Sequence, residues 1–170
     1  MSRLIAAVAA AALLVAAPAA AARDARPAAA SPSIVETAVA VNASGAYAGA
    51  FDTLICLVSN NQAVLDLLSQ KGQYTVFAPT DAAFAAIGVT GANCAAVAPS
   101  VTGILAYHVA NGRRDAADVI SSTQLRMRNG EFAAVTSANG SYFVDGAKII
   151  VTDVFASNGV IHAVDSVLLP

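Results

Sequence analysis

Four turn signals in the C-terminal part of the chain constrain its fold more than any other feature. They are Asn129-Gly130, Asn139-Gly140, Asp145-Gly146 and Asn158-Gly159. Asn, Asp and Gly tolerate the positive φ that tight hairpin turns need. Segments rich in β-formers run between these turns: Gln124–Arg128, Glu131–Thr136, Ser141–Val144, Lys148–Phe155 and Val160–Leu168. The pattern predicts an antiparallel meander.

The preceding part of the chain has helical periodicity. Apolar residues recur at near-helical spacing in three stretches, which begin at Ile34, Phe51 and Val64. A buried strand is predicted at Tyr74–Ala78, followed by a helix that Thr80 caps, and a further helix is predicted at Val101–Tyr107. Helices first and strands afterwards indicate an α+β domain.

The N-terminus is typical of a secretory signal peptide over residues 1–22. Met1–Ala22 has one cation, Arg3, an apolar stretch and an Ala-x-Ala exit. A membrane anchor is the alternative, but Pro18 interrupts the run, and a spanning helix needs about 20 strongly apolar residues. Residues 23–32 are rich in Ala and Pro and predict a disordered lead-in. Residues 33–170 then form one domain, with no lipid-anchor signal expected at the C-terminus.

The charge balance argues against nucleic acid as a partner. The formal net charge of −2 becomes −3 when Arg3 is lost with the leader. A weakly negative protein has no broad positive field that would attract nucleic acid. Two small arginine clusters remain, Arg113-Arg114 and the strand pair Arg126 and Arg128. Each is either a contact for an anionic glycan or acidic protein, or a solvated face.

The two cysteines are expected to form a disulfide in an exported chain. Cys56 and Cys94 are the only cysteines of the chain. Two buried thiols are the alternative. A bridge of this loop length stabilises a fold by about 4 kcal/mol on the chain-entropy model.

Few groups in the sequence indicate catalysis. His108 and His162 are the only histidines, and His162 and Asp165 lie three apart on a predicted strand, on opposite faces. The sequence contains no metal-binding, phosphate-binding or nucleophile motif. We therefore expect no enzyme activity, no cofactor and no metal.

Three separated segments resemble the fasciclin-like domain family. Tyr74–Phe84 is similar to its first motif and Ala156–Pro170 to its second, and Tyr107-His108 takes the place of its central Tyr-His pair. The resemblance covers about Ser31 to Pro170. It implies a fasciclin-like β-sandwich or wedge, against which the N-terminal and intervening helices pack. It also indicates a small, secreted, single-domain bacterial type.

The resemblance also implies a set of motif residues. Each of them either maintains the fold or contacts a partner. For Tyr107 and His108 both alternatives stay open. They are either core side chains whose polar atoms are hydrogen-bonded within the fold, or groups that contact a partner. Asp153-Val154 only approximates the Asp-Ile receptor motif of some animal members. The motif positions are Thr80, Asp81, Tyr107, His108, Asp153, Asn158, Gly159 and Ile161.

The resemblance favours a secreted or periplasmic, non-catalytic adhesion module. Its partner would be a protein, a matrix component or a cell-surface carbohydrate, and the mature form would have no membrane span. The first alternative is a carrier of an apolar small molecule, a lipid or a carotenoid, in the Ala/Val/Ile-rich interior. The second is an accessory domain of a larger envelope assembly.

Overall fold

The computed structural model describes residues 32–70 and 72–170. The predicted signal peptide and nearly all of the predicted lead-in lie outside the described residues. The helices are α1 (Ile34–Ala43), α2 (Asp52–Ser59), α3 (Gln62–Ser69), α4 (Asp81–Ala86), α5 (Cys94–Val97), α6 (Thr102–Tyr107) and α7 (Ala116–Ser121). The strands are β1 (Tyr74–Pro79), β2 (Val109–Asn111), β3 (Gln124–Arg126), β4 (Phe132–Ala138), β5 (Ser141–Val144), β6 (Ala147–Ala156) and β7 (Gly159–Val164).

All these strands belong to one sheet that curls back on itself. Their order is β2-β1-β7-β6-β5-β4-β3. An antiparallel bridge between Ala110 and Met127 joins the two outer strands, and the N–H of Arg128 donates to the carbonyl of Val109 at 2.7 Å. The sheet is therefore a nearly closed wedge with helices packed against it, which confirms the predicted α+β fold.

The predicted meander is confirmed from β3 to β7, where each neighbouring pair is antiparallel. The parallel pairing of β7 with β1 was not predicted. The last strand ends at Val164 rather than Leu168. The short elements β2, α5 and α7 were also missed, because segments of three to six residues give little periodicity.

The first helix begins at a capping box that was not predicted. The Ser33 hydroxyl accepts from the N–H of Glu36 at 3.4 Å, and the N–H of Ser33 donates to the Glu36 carboxylate at 2.8 Å. This exchange satisfies amides that have no partner inside the helix. At α3, Asn61 provides the cap, accepting from the N–H of Val64 at 3.3 Å.

Two apolar clusters lie on opposite sides of the central strands. Along β1, Val76 and Ala78 belong to the cluster beneath the helices, whereas Phe77 belongs to the cluster inside the wedge. This alternation follows from the two-residue period of a strand. Because both faces of β1 and β7 are covered, all their residues are buried.

No helix in the described ranges is both long and apolar enough to cross a membrane.

Candidate functional site

The segments that carry the resemblance form one continuous unit at the centre of the sheet. β1 and β7 run in parallel, with Tyr74 opposite Gly159. The N–H of Phe77 donates to the carbonyl of His108 at 2.8 Å, so the Tyr-His pair adjoins the first motif. The side chains of the motif residues nevertheless point to different parts of the fold.

Thr80 and Asp81 cap two different helices. The Thr80 hydroxyl accepts from the N–H of Ala83 at 3.4 Å and so caps α4, as predicted. Asp81 follows Thr80 in the first turn of α4, but its carboxylate acts on another helix. It accepts from the N–H groups of Asp52 at 3.2 Å and Thr53 at 2.8 Å, so it caps α2, whose preceding residue makes no side-chain cap. Asp81 therefore joins two helices.

Tyr107 is a core ring with a bonded hydroxyl. Its Oη donates to a carboxylate oxygen of Asp145 at 3.2 Å and lies 3.4 Å from the carbonyl oxygen of Phe132. Burial raises the pKa of Tyr107 to about 12, and the negative charge of Asp145 contributes. The hydroxyl stays protonated and links α6 to the meander.

His108 is a neutral imidazole in the core. Its Nε2 accepts from the N–H of Leu168 at 3.0 Å, so Nδ1 carries the proton and donates to the carbonyl of Ile104 at 2.7 Å. Only 2% of His108 is exposed. Burial lowers its pKa to about 4. Both ring nitrogens are used within the fold.

Asp153 lies in a bulge of β6 and has a left-handed backbone, with φ 60°. Its Oδ1 accepts from the N–H of Ala116 at 2.8 Å, at the start of α7. Its own N–H donates to Nδ1 of His162 at 3.3 Å. The bulge turns the Asp153 side chain toward α7, where it holds a helix end.

His162 has a buried position that the sequence did not reveal. It is fully buried, stacks on Phe77 with ring centroids 5.8 Å apart, and its Nε2 lies 3.0 Å from the carbonyl oxygen of Arg114. Burial lowers the pKa of His162. The prediction that Asp165 lies on the same strand as His162 is wrong, because Asp165 lies beyond β7. Its carboxylate accepts from the N–H of Lys148 at 2.9 Å. The hydrogen bond between His162 and the bulge residue Asp153 joins residues nine apart, so no local sequence pattern predicts it.

Asn158 and Gly159 join the last hairpin to the first helices. The Asn158 side chain accepts from the N–H of Ile34 at 2.8 Å and donates to the carbonyl of Leu68 at 2.7 Å. The predicted positive φ is wrong for this turn, since neither residue has one. Glycine is needed for another reason, because a Cβ at 159 would overlap the carbonyl oxygen of Tyr74.

Ile161 separates two apolar cavities beneath α1. It is 6% exposed and lines both, whose volumes are about 20 and 40 Å³. Sites for small molecules usually measure roughly 300–1,000 Å³. The geometry of these two cavities gives the carrier hypothesis no support.

Cys56 and Cys94 form the predicted disulfide, with Cα atoms 6.0 Å apart. It ties α2 to α5. Among residues 32–70 and 72–170, no three His, Cys, Asp or Glu side chains are arranged to hold a metal ion.

The exposed side of the meander presents apolar side chains together with cations. Phe132 is 54% and Ile150 is 39% exposed, and the cations Arg126 and Lys148 are exposed on the same side. We call this the outer sheet face. Along β3 to β6, its positions alternate with those that face the inside of the wedge. The positions of the outer sheet face are Gln124, Arg126, Phe132, Ala134, Thr136, Ala138, Ser141, Phe143, Lys148 and Ile150.

Comparisons with known proteins agree with this architecture. A family model described as the fasciclin domain matches residues 49–170. The Synechocystis protein sll1735 is 35% identical over 139 residues, which are 81% of this chain and 98% of that protein. The immunogenic protein MPB70 of Mycobacterium bovis is 36% identical over 101 residues, which are 59% of this chain and 51% of that protein.

Among solved structures, the chain is similar to a FAS1 domain pair from the insect cell adhesion molecule fasciclin I. The TM-score is 0.58 at 19% sequence identity. The match covers 71% of this chain but 47% of the solved chain. At this identity, the likeness shows the fold alone.

Proposed function

The chain belongs to the fasciclin domain family, and from that premise we propose that it is an exported, non-catalytic interaction module. The outer sheet face is the observation that carries this proposal. It presents Phe132 and Ile150 on strands whose other side is packed, so that binding would cost little reordering of the backbone.

The size of the outer sheet face suits a specific contact. Four strands spaced about 4.8 Å apart, each contributing up to seven residues at about 3.3 Å, span roughly 300–400 Å². Contiguous exposed apolar patches of a few hundred Å² often mark interaction sites, and the apolar part of this face consists of five of its ten positions, Phe132, Ala134, Ala138, Phe143 and Ile150. The ten positions of the face include two cations and no carboxylate, which favours a partner with an apolar centre and an acidic rim.

The motif side chains support a non-catalytic role. The polar groups of Asp81, His108, Asp153 and Asn158 all bond to backbone groups of the same chain. A catalytic group must reach a substrate, and these side chains instead join elements of the fold.

A binding experiment with matched variants tests the proposal. The full chain, made in an exporting host, is crosslinked to an envelope or matrix fraction of its source organism. Phe132→Ser with Ile150→Ser removes the exposed apolar groups, and Val39→Ser on α1, 46% exposed, is the control. We expect the double variant to lose a partner that the wild type and the control retain.

Three results would contradict the proposal. If the wild type retains no partner, or if the double variant retains it unchanged, the outer sheet face is not the binding surface. Turnover of any substrate by the purified protein would refute the non-catalytic role.

Export is tested separately from binding. We propose that the protein is secreted or periplasmic and that its leader is removed after Ala22. The intact mass of the product should correspond to a chain that begins at Arg23. A product that still contains Met1 would argue for a retained anchor.

A further inference from the structure

The segment between β2 and α7 lies across the face of the sheet that lines the inside of the wedge. We call residues 112–115 the strap. The Thr75 hydroxyl on β1 donates to the carbonyl of Gly112 at 2.8 Å and accepts from the N–H of Arg114 at 2.9 Å. Thr75 lies two residues before Phe77, which belongs to the cluster inside the wedge, so both side chains are on this face. Thr75 is fully buried, and the strap covers the start of β1.

His162 and Asp153 hold the far end of the strap. Nε2 of His162 lies 3.0 Å from the carbonyl oxygen of Arg114, and Oδ1 of Asp153 accepts from the N–H of Ala116 at 2.8 Å. The N–H of Asp153 donates to Nδ1 of His162 at 3.3 Å. Because Nδ1 accepts, Nε2 carries the proton and donates to Arg114. The strap is therefore closed over a neutral imidazole in one particular tautomer.

Arg113 adds a contact whose charge does not change with pH. Its guanidinium lies 4.8 Å from the centre of the Phe155 ring. Phe155 is opposite Val160 in the sheet, and Val160 is opposite Thr75, so this row of residues lies on the side that the strap covers. Neither a guanidinium nor a phenyl ring titrates between pH 4 and 8. Any pH dependence of the strap must therefore come from the contacts of His162.

Protonation of His162 would reverse one of these hydrogen bonds. The new Nδ1–H would face the N–H of Asp153, so that two donors oppose each other. The carboxylate of the same Asp153 is an acceptor of opposite charge, and its charge already favours the protonated imidazole. If this carboxylate turns to the imidazolium, the N–H of Ala116 loses its acceptor. One carboxylate thus has two alternative partners, and only one of them holds the start of α7.

The backbone at both ends of the strap is suited to a change of conformation. Asp153 lies at a bulge with φ 60°, in a region that residues other than glycine seldom occupy. Backbones held in such regions cluster at switch sites. At the other end, Gly112 has φ 86°, and glycine adopts either sign of φ without steric cost. Gly112 can therefore act as the hinge.

The surroundings of His162 set the direction of the pH dependence. Burial lowers the pKa of His162 from 6.5, whereas the carbonyl of Arg114 and the carboxylates of Asp153 and Asp115 act in the opposite direction. These two carboxylates, on β6 and just before α7, are the charged groups that act on the ring, and its stacking partner Phe77 is neutral. An open strap returns the imidazole to water, so the open form binds the proton more tightly. The closed form is fully favoured above pH 6.5 and loses its advantage as the pH falls.

We propose that the strap is a pH-sensitive closure of the wedge, in which protonation of His162 draws the Asp153 carboxylate away from Ala116 and releases residues 112–121. Release would also free Val119 of α7, which is fully buried inside the wedge. The open form in acid would therefore expose apolar surface that is hidden at neutral pH. This inference goes beyond the proposed function and does not use the outer sheet face.

Hydrogen exchange of the full chain at pH 7.5 and pH 5.0 tests the closure, with each rate corrected for the intrinsic rate at that pH. The amides of Arg114, Ala116 and Val119 should lose protection by between about tenfold and thirtyfold, since pH 5.0 lies about 1.5 units below the pKa of a solvated imidazole. The reference amides of Phe77 and Met127, bonded elsewhere in the sheet, should change by less than about twofold.

Two variants assign the effect to His162. His162→Gln keeps a side-chain donor but cannot take up a proton, so the protection of the strap should be the same at both pH values. His108→Asn is the matched control, because it removes the other buried histidine and should leave the loss at the strap unchanged. Phe132→Ser with Ile150→Ser should also behave like the wild type, so this result is independent of partner binding.

NMR titration of the wild-type imidazole nitrogens makes the test independent of whether the variants fold. His162 should change from the Nε2–H tautomer to the imidazolium over the pH range in which the strap loses protection. His108 should stay neutral at pH 5.0, because burial lowers its pKa to about 4.

The inference is overturned by any of four outcomes. Unchanged protection of the strap at pH 5.0 would show that it stays closed, and equal losses at Phe77 and Met127 would indicate global unfolding. A strap that opens while the His162 ring stays neutral, or that responds equally to pH in a folded His162→Gln protein, would assign the effect to another group.

Discussion

The ring of His108 and the backbone N–H of Leu168 are joined by a hydrogen bond of 3.0 Å, although 60 residues separate them in sequence. Protonation of Nε2 would place a donor against a donor. The end of the chain is therefore held to α6 only while the imidazole is neutral.

This geometry predicts loss of stability in acid. The folded-state pKa of His108 is lowered from 6.5 to about 4, so the unfolded chain binds the proton first. The contribution of neutral His108 to the free energy of unfolding is therefore fully present above pH 6.5. It decreases by about 3 kcal/mol as the pH falls toward 4. Buried His162 acts in the same direction.

Urea unfolding of the wild type and of His108→Asn between pH 7.5 and 4 measures the effect. The variant should be less stable at neutral pH but should lose less stability on acidification. Equal pH slopes for the two proteins would contradict the assignment.

Asp81→Ala should destabilise the fold by about 1–2 kcal/mol, because the first amides of α2 lose their acceptor. Asp66→Ala is the matched control, since it removes an exposed carboxylate that bonds only to Gln62 within α3. The control should change the free energy of unfolding by no more than about 0.5 kcal/mol. Chemical denaturation of both variants compares them, and equal losses would argue against the cap.

Gly159→Ala should destabilise by about 3 kcal/mol or more, since its Cβ would overlap the Tyr74 carbonyl oxygen on a neighbouring central strand. Gly103→Ala is the control, because nothing lies within 4 Å of its Cβ position. That helical substitution should be neutral or stabilising by up to about 1 kcal/mol. Thermal unfolding distinguishes the two, and a well-folded Gly159→Ala protein would disprove the close approach.

Removal of the disulfide should cost about 4 kcal/mol, because Cys56 and Cys94 close a loop with a sequence separation of 38. The double variant Cys56→Ala, Cys94→Ala and the reduced wild type should show the same loss in urea unfolding. A reductant should leave the double variant unchanged. Any further loss in reductant would point to an effect other than the bridge.

Patterns close together in sequence predicted most elements of this fold. The periodicity of α1 to α3, the Thr80 cap and the hairpins around Asn139-Gly140 and Asp145-Gly146 depend on neighbouring residues, and the structure has all of them. The resemblance to a family supplied the overall architecture.

Relationships between distant residues could not be predicted. Asp81 acts on α2 rather than on its own helix, and Asn158 joins two helices that lie far from it in sequence. The Asn158-Gly159 pair predicted a tight turn with positive φ. What requires glycine at 159 is the close approach of the Tyr74 carbonyl oxygen, which leaves no space for a Cβ.

The parallel pairing of β1 with β7 limits the order in which the strands of the sheet can pair during folding. Until the final strand is synthesised, one side of β1 lacks its hydrogen-bonding neighbour, and a nascent chain exposes that edge. Contacts of such long sequence separation form slowly, because a large loop must first be closed. A polypeptide built in this way acquires the pairing of β1 with β7 only after β7 has been synthesised, so translation must pass Val164 before β1 has a neighbour on both sides.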